Sequence, residues 1–188
     1  MAYRNKTYVV FNADPLKDET GTIKGDMRYY RTLQMWRNND DIDFDFHDAH
    51  ELNNLRVGSS DEQIRRKLRE RMANAKMLIV IVGKYTRFQH KFVRWEIEIA
   101  LDAGIPIIVT NVNGKRAHDD DRCPAILDNK LAIHVSFNSK ILQYAFDNWP
   151  SSFEKRKKDG DDFPIHYKES VYESLGLNDV KKNIWDLI

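Results

Sequence analysis

The sequence predicts an α/β fold in which a parallel β-sheet lies between two layers of helices. Residues 77–82 are six consecutive apolar residues, which is typical of a central strand covered on both faces. Segments with strand patterns also alternate along the chain with segments whose apolar residues recur at helical spacing. Five such strands favour a flavodoxin-like three-layer sandwich with the strand order 2-1-3-4-5.

The first two predicted strands have different patterns. Residues 8–11 form a short β-branched and aromatic run that is apolar on both faces and is soon followed by Asp-Pro. Residues 42–47 alternate apolar side chains with acidic ones or a histidine, which indicates an edge strand with one exposed face. Between them, Asp26 is predicted to cap a helix that continues to about Asn38.

A second helix is predicted to begin after Ser60, because Ser60 and Gln63 have the spacing of a capping box. It continues to about residue 75 and carries a basic run over 65–71. The apolar residues of this helix recur every four positions, so we interpret the run as one solvated basic face. The central strand at 77–82 follows directly.

A third helix is predicted from about Lys91 to Ala103, where Gly104 supplies a typical C-terminal stop. The remaining strands of the sandwich follow this helix, with a short helix between them. We expect these elements at residues 105–109, 124–129 and 131–135.

The pattern changes after about residue 138. A helix is predicted there, then a charged linker that contains Gly160, then two short helices; these elements lie at 139–148, 155–162, 168–175 and 178–187. We therefore expect residues 1–138 to form the sandwich domain and residues 139–188 to form a helical extension packed on it.

Composition excludes several classes of protein. The chain has 188 residues, and 30 Lys and Arg balance 29 Asp and Glu, without the basic excess of a dedicated nucleic-acid binder. No apolar run is long enough to span a membrane, and the first six residues are not followed by an apolar stretch of signal-peptide length, so we do not expect a secretory signal. The single cysteine forms no internal disulfide, so we expect a cytoplasmic protein.

Ligands of open parallel sheets bind beside the carboxyl ends of the strands. The loops and helix starts at that edge therefore supply the candidate binding residues. They are Asn12, Asp14, His47, Asp48, Gly83, Tyr85, Thr86 and the first turns after Lys91.

The third helix carries two glutamates with different surroundings. At about 100° per residue, Glu98 falls on the polar face, whereas Glu96 falls in the middle of the apolar arc that contains Phe92 and Trp95. A carboxylate on a buried face is costly unless it is paired, hydrogen-bonded or open to a cleft. The pattern leaves two interpretations of Glu96 equally open. One is a structural role, as the partner of a buried cation or the cap of a neighbouring loop, and the other is a functional site.

An ordered set of segments resembles the TIR-like superfamily, and within it the TIR proteins of Thoeris antiphage defence. The opening strand, the loop that ends at Gly58 before an Ile64…Leu68 helix, and the third strand with its turn at 83–86 are similar to their TIR counterparts. Phe92-Val93-Arg94-Trp95-Glu96-Ile97 is similar to the TIR motif Trp-Cys-x-x-Glu-Leu. The resemblance covers residues 6–137.

The resemblance implies a function and a site. The motif glutamate of that family is the catalytic residue of NAD cleavage, and it corresponds to Glu96. NAD would be the substrate, with no separate cofactor and no metal, and the ADP-ribose would be cyclised into a diffusible nucleotide that activates a separate effector. A phage-derived trigger and self-assembly into a homo-oligomer are expected as further partners. Substrate binding is assigned to Asn12, Asp14, Asp48, Tyr85 and Phe92.

The sequence also departs from the motif. Phe92 stands where Trp is common and Val93 where Cys is common, and the loop at 47–60 lacks the Arg-Asp and Pro-Gly signatures of the TIR docking loop. The departure leaves the assembly geometry open, and it is consistent with an isolated protein that stays inactive until it is triggered.

Other functions remain as alternatives. A non-catalytic TIR-like adaptor would use the same loops to bind proteins, and a nucleoside ribosyltransferase would place a carboxylate under a ribose in a similar fold. We do not expect a metal at His47 and His50, a nucleophilic role for Cys123, or more than a solvated acidic loop at 119–121. The sequence has no glycine-rich phosphate cradle.

Overall fold

The computed structural model of the chain describes residues 6–12, 25–40, 46–47, 60–88 and 91–178. These residues form one parallel sheet in the order β2-β1-β3-β4-β5-β6. The predicted α/β class and the order of the first five strands are confirmed. The strands are β1 (Lys6–Val10), β2 (Phe46–His47), β3 (Ala75–Val82), β4 (Ile107–Asn111), β5 (Ile133–Ser136) and β6 (Ile165–His166).

Helices cover both faces of this sheet. The longer ones are α1 (Met27–Arg37), α2 (Asp61–Met72), α3 (Phe92–Asp102) and α4 (Ser139–Asp159), and a shorter α5 (Glu169–Ser174) follows. Single turns of 3-10 helix occur at Thr86–Phe88 and Ala125–Leu127.

The alternation of side chains along β3 divides the core into two halves. Leu78, Val80 and Val82 pack with α2 and α3, whereas Ile79 and Ile81 pack with α1 and α4. Each of these side chains is fully buried, and burial of one such side chain is worth about 1.5–3 kcal/mol. The unbroken apolar run of β3 is therefore explained by a strand that faces two hydrophobic layers.

The two predicted helix caps have different outcomes. The capping box is confirmed, because the Gln63 backbone N–H donates to Ser60 Oγ and the Ser60 N–H donates to Gln63 Oε1. The cap predicted at Asp26 is wrong in its chemistry. Asp26 occupies the N-cap position of α1, but its side chain makes no capping hydrogen bond. It turns toward the sheet instead.

The region after residue 138 differs from the prediction in two ways. α4 does not end near residue 148 but continues through Pro150 and into the predicted charged linker, and it stops at Gly160, whose φ is 83°. Trp149 and Phe153 pack in the core on the α1 side of the sheet, and this burial outweighs the hydrogen bond lost at the proline. The second difference is β6, a short strand that pairs with β5.

Several predicted elements lie wholly or mostly outside the described residues. They are the first part of the strand at 42–47, most of the loop at 47–60 and the helix at 178–187.

Candidate active site

Glu96 lies in the second turn of α3 with its side chain on the buried face of that helix. Val93, Ile97 and Ala100 surround it on the same helix and belong to the core shared by α2, α3 and the sheet. Glu96 itself is 4% exposed. The inward position that the helical periodicity predicts for this carboxylate is confirmed.

The buried carboxylate has a phenol and a cation for neighbours. The Tyr8 hydroxyl, on β1, donates to Glu96 Oε1 at 3.2 Å. Arg71, in the last turn of α2, interacts electrostatically with both Tyr8 and Glu96. Three elements that are distant in sequence therefore bring together two buried polar groups, on Tyr8 and Glu96, and the partly exposed Arg71.

Burial dominates the ionisation of this group of residues. It raises the pKa of Glu96 to about 8, although the hydrogen bond from Tyr8 and the charge of Arg71 act in the opposite direction. Burial and the neighbouring carboxylate likewise raise the pKa of Tyr8, so the phenol keeps its proton and remains a donor. Glu96 can therefore change between the charged and neutral forms near physiological pH.

Arg71 is not among the partners of Glu96 that the sequence predicts. The prediction of one solvated basic face on α2 is wrong for Arg71, because the residue is only partly exposed and interacts with Glu96. The spacing of Arg71 from the apolar residues of α2 does indicate this position. Arg71 follows Ile64 by seven positions and Leu68 by three, which places it beside the apolar stripe of the helix.

A second polar group lies at the carboxyl ends of β1 and β3. Asp26 is 7% exposed and accepts a hydrogen bond from Thr86 Oγ1 at 3.1 Å. The Thr86 hydroxyl oxygen in turn accepts the Gly83 N–H at 2.8 Å, and the Asp26 N–H donates to the Asn12 carbonyl at 3.2 Å. Asn12, which the sequence analysis selected for substrate binding, is therefore a buried member of this group, with 3% exposure.

Asp26 is a candidate that the sequence analysis missed. Burial raises its pKa to about 6, against the hydrogen bonds from Thr86 and from the Asn12 backbone. A capping role accounts for an aspartate directly before a helix, so the sequence alone does not indicate a further role for Asp26. The available signal was its place at the start of α1, at the same edge of the sheet as the other candidates.

Neither of the two aromatic candidates is fully buried. Phe92 is 48% exposed and packs edge-on against Trp95 at a centroid distance of 5.7 Å. The helical wheel had placed Phe92 among the buried residues, and this is wrong, because Phe92 occupies the first position of the helix. Tyr85 is partly exposed, with Lys84 Nζ 5.2 Å from its ring centre.

Glu98 differs from Glu96 in its environment, as the periodicity predicts. It forms ion pairs with Arg65 and with Arg94, and the Arg94 pair has an N–O distance of 2.8 Å. These partners, with Arg94 the larger influence, lower the pKa of Glu98. Glu98 therefore stays ionised, partly exposed and paired, which makes it a suitable control for Glu96.

Some of the candidate residues lie outside the part of the chain that the structure describes. They are Asp14, Asp48 and His50, and only the backbone of His47 is described, as the end of β2. The acidic loop is only partly solvated, because Asp119 is 3% exposed and accepts a hydrogen bond from Asn113. A surface pocket of about 480 Å³ contains none of the predicted site residues; it is lined by Gly114, Lys115, Arg116, Ala117, His166, Tyr167, Lys168 and Glu169.

A parallel sheet in this order, with a glutamate turned inward from the helix after its central strand, is consistent with the TIR-like class of α/β domains. The family model described as the TIR-like domain of the Thoeris protein ThsB matches residues 8–117, which is more than half of the chain and includes Tyr8, Arg71 and Glu96. The chain therefore belongs to the ThsB TIR-like family, whose members are TIR proteins of Thoeris defence.

Two further results concern curated relatives and membrane-spanning helices. A search of curated proteins found no match to this chain. Among the described residues, no helix has both the length and the apolar character that a bilayer crossing requires.

Proposed function

We propose that this protein cleaves NAD at the bond between nicotinamide and ribose, with Glu96 as the catalytic carboxylate. The observation that carries the proposal is the inward position of Glu96 within the segment matched by the ThsB family model. Glu98, two residues away on the same helix, is instead ion-paired and partly exposed. Catalysis is therefore assigned to Glu96 alone and not to any acidic residue of α3.

The chemistry of this cleavage requires little more than a well-placed negative charge. Nicotinamide leaves as a neutral base from a cationic precursor, so no general acid has to protonate it. The ribose develops oxocarbenium character, as in glycoside hydrolysis. A carboxylate beneath the ribose stabilises that charge, and it does so more strongly where water is excluded. The apolar surroundings of Glu96 support this role.

The same environment supports cyclisation of the ADP-ribose. Where water is kept out, a hydroxyl or ring nitrogen of the same ligand reacts in its place, because its effective concentration is high. The product would be a cyclic ADP-ribose-type nucleotide that diffuses to a separate effector and activates it. We place the reaction in the cytoplasm, with NAD as substrate and no further cofactor.

The contacts of Glu96 also suggest why activity would depend on a trigger. With 4% exposure and a hydrogen bond from Tyr8, the carboxylate does not face solvent. A ribose can reach it only after Glu96 or its covering groups move. We therefore propose that a phage-derived trigger, self-assembly into a homo-oligomer, or both convert a latent form into the active one.

Substrate contacts beyond Glu96 are proposed on position. The exposed ring of Phe92 and the partly exposed ring of Tyr85 are available to stack on nicotinamide or adenine. Asn12, Asp14 and Asp48 are proposed to make polar contacts with the nucleotide, since each follows a strand at its carboxyl end.

Nicotinamide release tests the proposal. The protein is incubated with NAD, alone and with lysate from phage-infected cells, and nicotinamide and any cyclic nucleotide are identified by chromatography and mass spectrometry. We expect activity in the presence of lysate, its loss in Glu96→Gln and its retention in Glu98→Gln. Equal activity in Glu96→Gln would contradict the proposal.

The adaptor function remains the second candidate, because Tyr8 and Arg71 could satisfy Glu96 in a purely structural role. An adaptor would keep its defence activity in Glu96→Gln, provided that the variant folds. A nucleoside ribosyltransferase would instead lose activity in that variant, but it would consume free nucleosides and leave NAD intact.

A further inference from the structure

Two histidines and the single cysteine lie close together beside β5. His134 lies on β5, Cys123 lies just before the 3-10 turn at Ala125–Leu127, and His118 lies in the loop after β4. Their ligand-capable atoms are all within 4.8 Å of one another, and His134 and Cys123 are fully buried. β3 and β4 separate this cluster from the strand that carries Tyr8.

The spacing of the two imidazoles suits a tetrahedral metal. His118 Nδ1 and His134 Nε2 are 3.4 Å apart, with the rings inclined at 75°. Two nitrogens bound to one tetrahedral zinc ion are separated by about 3.3 Å, and a nitrogen and a sulfur by about 3.6 Å. Binding would therefore shorten the distance from the sulfur to a nitrogen by about 1.2 Å at most.

Hydrogen bonds hold the loop that carries these ligands. The Asn111 side-chain amide donates to the carbonyls of Lys115 and Ala117, both at 2.9 Å, just before His118. The Cys123 N–H donates to the Asp119 carbonyl at 2.8 Å, and Arg87 Nη1 donates to the Cys123 carbonyl at 2.8 Å. The backbone positions of His118 and Cys123 are thus fixed by contacts other than their own side chains.

A carboxylate lies behind the His118 ring. Asp128 Oδ1 is 3.3 Å from His118 Nε2, and Arg87 holds the same carboxylate through two contacts of 3.2 Å. This position would let Asp128 orient the ring when Nδ1 binds a metal. Metal-binding histidines commonly have a carboxylate in this position.

We propose that His118, Cys123 and His134 form a zinc site that ties the loop after β4 to β5, with Asp128 as its orienting carboxylate. Two imidazoles and one thiolate are the donors that zinc prefers, whereas calcium and magnesium require oxygen ligands. All three ligands lie beyond the segment matched by the family model, which ends at residue 117. The site is independent of the reaction proposed for Glu96.

Metal analysis of the tag-free full-length protein tests this proposal. We expect about one zinc per chain after purification from zinc-supplemented medium. Exchange with cobalt should produce the absorption bands of tetrahedral, thiolate-bound Co²⁺. Cys123→Ser and His134→Gln should lose most of the zinc and the thiolate-dependent bands, and Asp128→Asn should weaken zinc affinity by about 10–100-fold.

His166→Gln is the matched control, because His166 lies on the adjacent β6 but is exposed and outside the cluster. It should retain its zinc, and circular dichroism establishes that each variant is folded. A folded wild-type protein without zinc or cobalt bands would overturn the proposal, as would copper or iron in place of zinc. Full zinc content in both folded ligand variants would do the same.

Discussion

Glu96 is an acid that the fold keeps away from water, and its charge state decides what it can do. Burial raises its pKa to about 8, so a large fraction of the free protein carries the neutral acid at neutral pH. Under the proposed function only the ionised form stabilises the oxocarbenium ion. We therefore expect kcat/KM for nicotinamide release to rise with pH, with a midpoint near 8.

The bound substrate should change that midpoint. The cationic nicotinamide ring favours the carboxylate form, so the midpoint for kcat should fall below the midpoint for kcat/KM. Initial rates over neutral and mildly alkaline pH, at low and saturating NAD, measure both profiles. A rate that is independent of pH across this range would contradict the assignment of Glu96.

The hydrogen bond from Tyr8 gives a second test at the residue scale. Tyr8→Phe removes a donor that favours ionised Glu96, so the pKa of Glu96 should rise further and the rate profile should move to higher pH. Tyr30→Phe is the control, because Tyr30 is also a buried tyrosine but accepts its hydrogen bond from Gln34 on the other side of the sheet. Its profile should not move.

Folding stability should depend on the ionisation of Glu96 as well. A carboxyl group whose pKa is raised on folding stabilises the folded state while it is protonated, and this contribution is lost as the pH rises through the raised pKa. The free energy of unfolding of the wild type, relative to Glu96→Gln, should therefore fall between pH 4.5 and about 8. Urea denaturation at several pH values measures this difference, and a constant difference would exclude the shift.

At the scale of elements, the turn after β3 is held by a close approach between Gly83 and Asp26. A Cβ atom added at Gly83 would lie 1.8 Å from Asp26 Oδ1, which no side chain can accept without movement. We expect Gly83→Ala to reduce the free energy of unfolding by about 1–3 kcal/mol. Chemical denaturation of Gly83→Ala, Asp26→Ala and the double variant measures the coupling free energy between the two positions. We expect it to be close to the whole loss of stability caused by Gly83→Ala, because Asp26→Ala removes the carboxylate that the new Cβ atom would meet.

The elements that could be predicted from sequence are those with a strong local pattern. β3 is apolar on both faces and α2 opens with a capping box, so both were found with errors of a few residues. β6 has two residues, which is too short for a periodicity. α4 contains a proline and a charged last turn, and its continuation depends on packing of Trp149 that no local pattern shows.

The candidate site was predictable only in part for the same reason. Periodicity selects Glu96 because a charge on an apolar face is unusual. Its partners Tyr8 and Arg71 are brought to it by the packing of β1, α2 and α3, and a sequence pattern does not contain that packing. The cluster of His118, Cys123 and His134 likewise arises from tertiary structure.

At the scale of the whole molecule, residues 139–188 are proposed to be part of one folding unit with the sandwich. Trp149 is fully buried in the same core as Ile79 and Ile133 of the sheet. Trp149→Ala should therefore lower the free energy of unfolding by about 3–5 kcal/mol, and a chain that ends at residue 138 should fail to fold. Thermal denaturation of both variants and the solubility of the shortened chain test this. Cooperative unfolding of the shortened chain would contradict the proposal, because it would show that residues 1–138 fold as an independent domain.

The contacts among Tyr8, Arg71 and Glu96 have a consequence for protein engineering. Apolar replacements for such a set often increase heat resistance, because the desolvation of the polar groups is avoided. A selection for thermostability alone would therefore tend to discard Tyr8, Arg71 and Glu96. Libraries designed for thermostability should therefore keep these three positions unchanged, since we expect a more stable variant without them to lack catalytic activity.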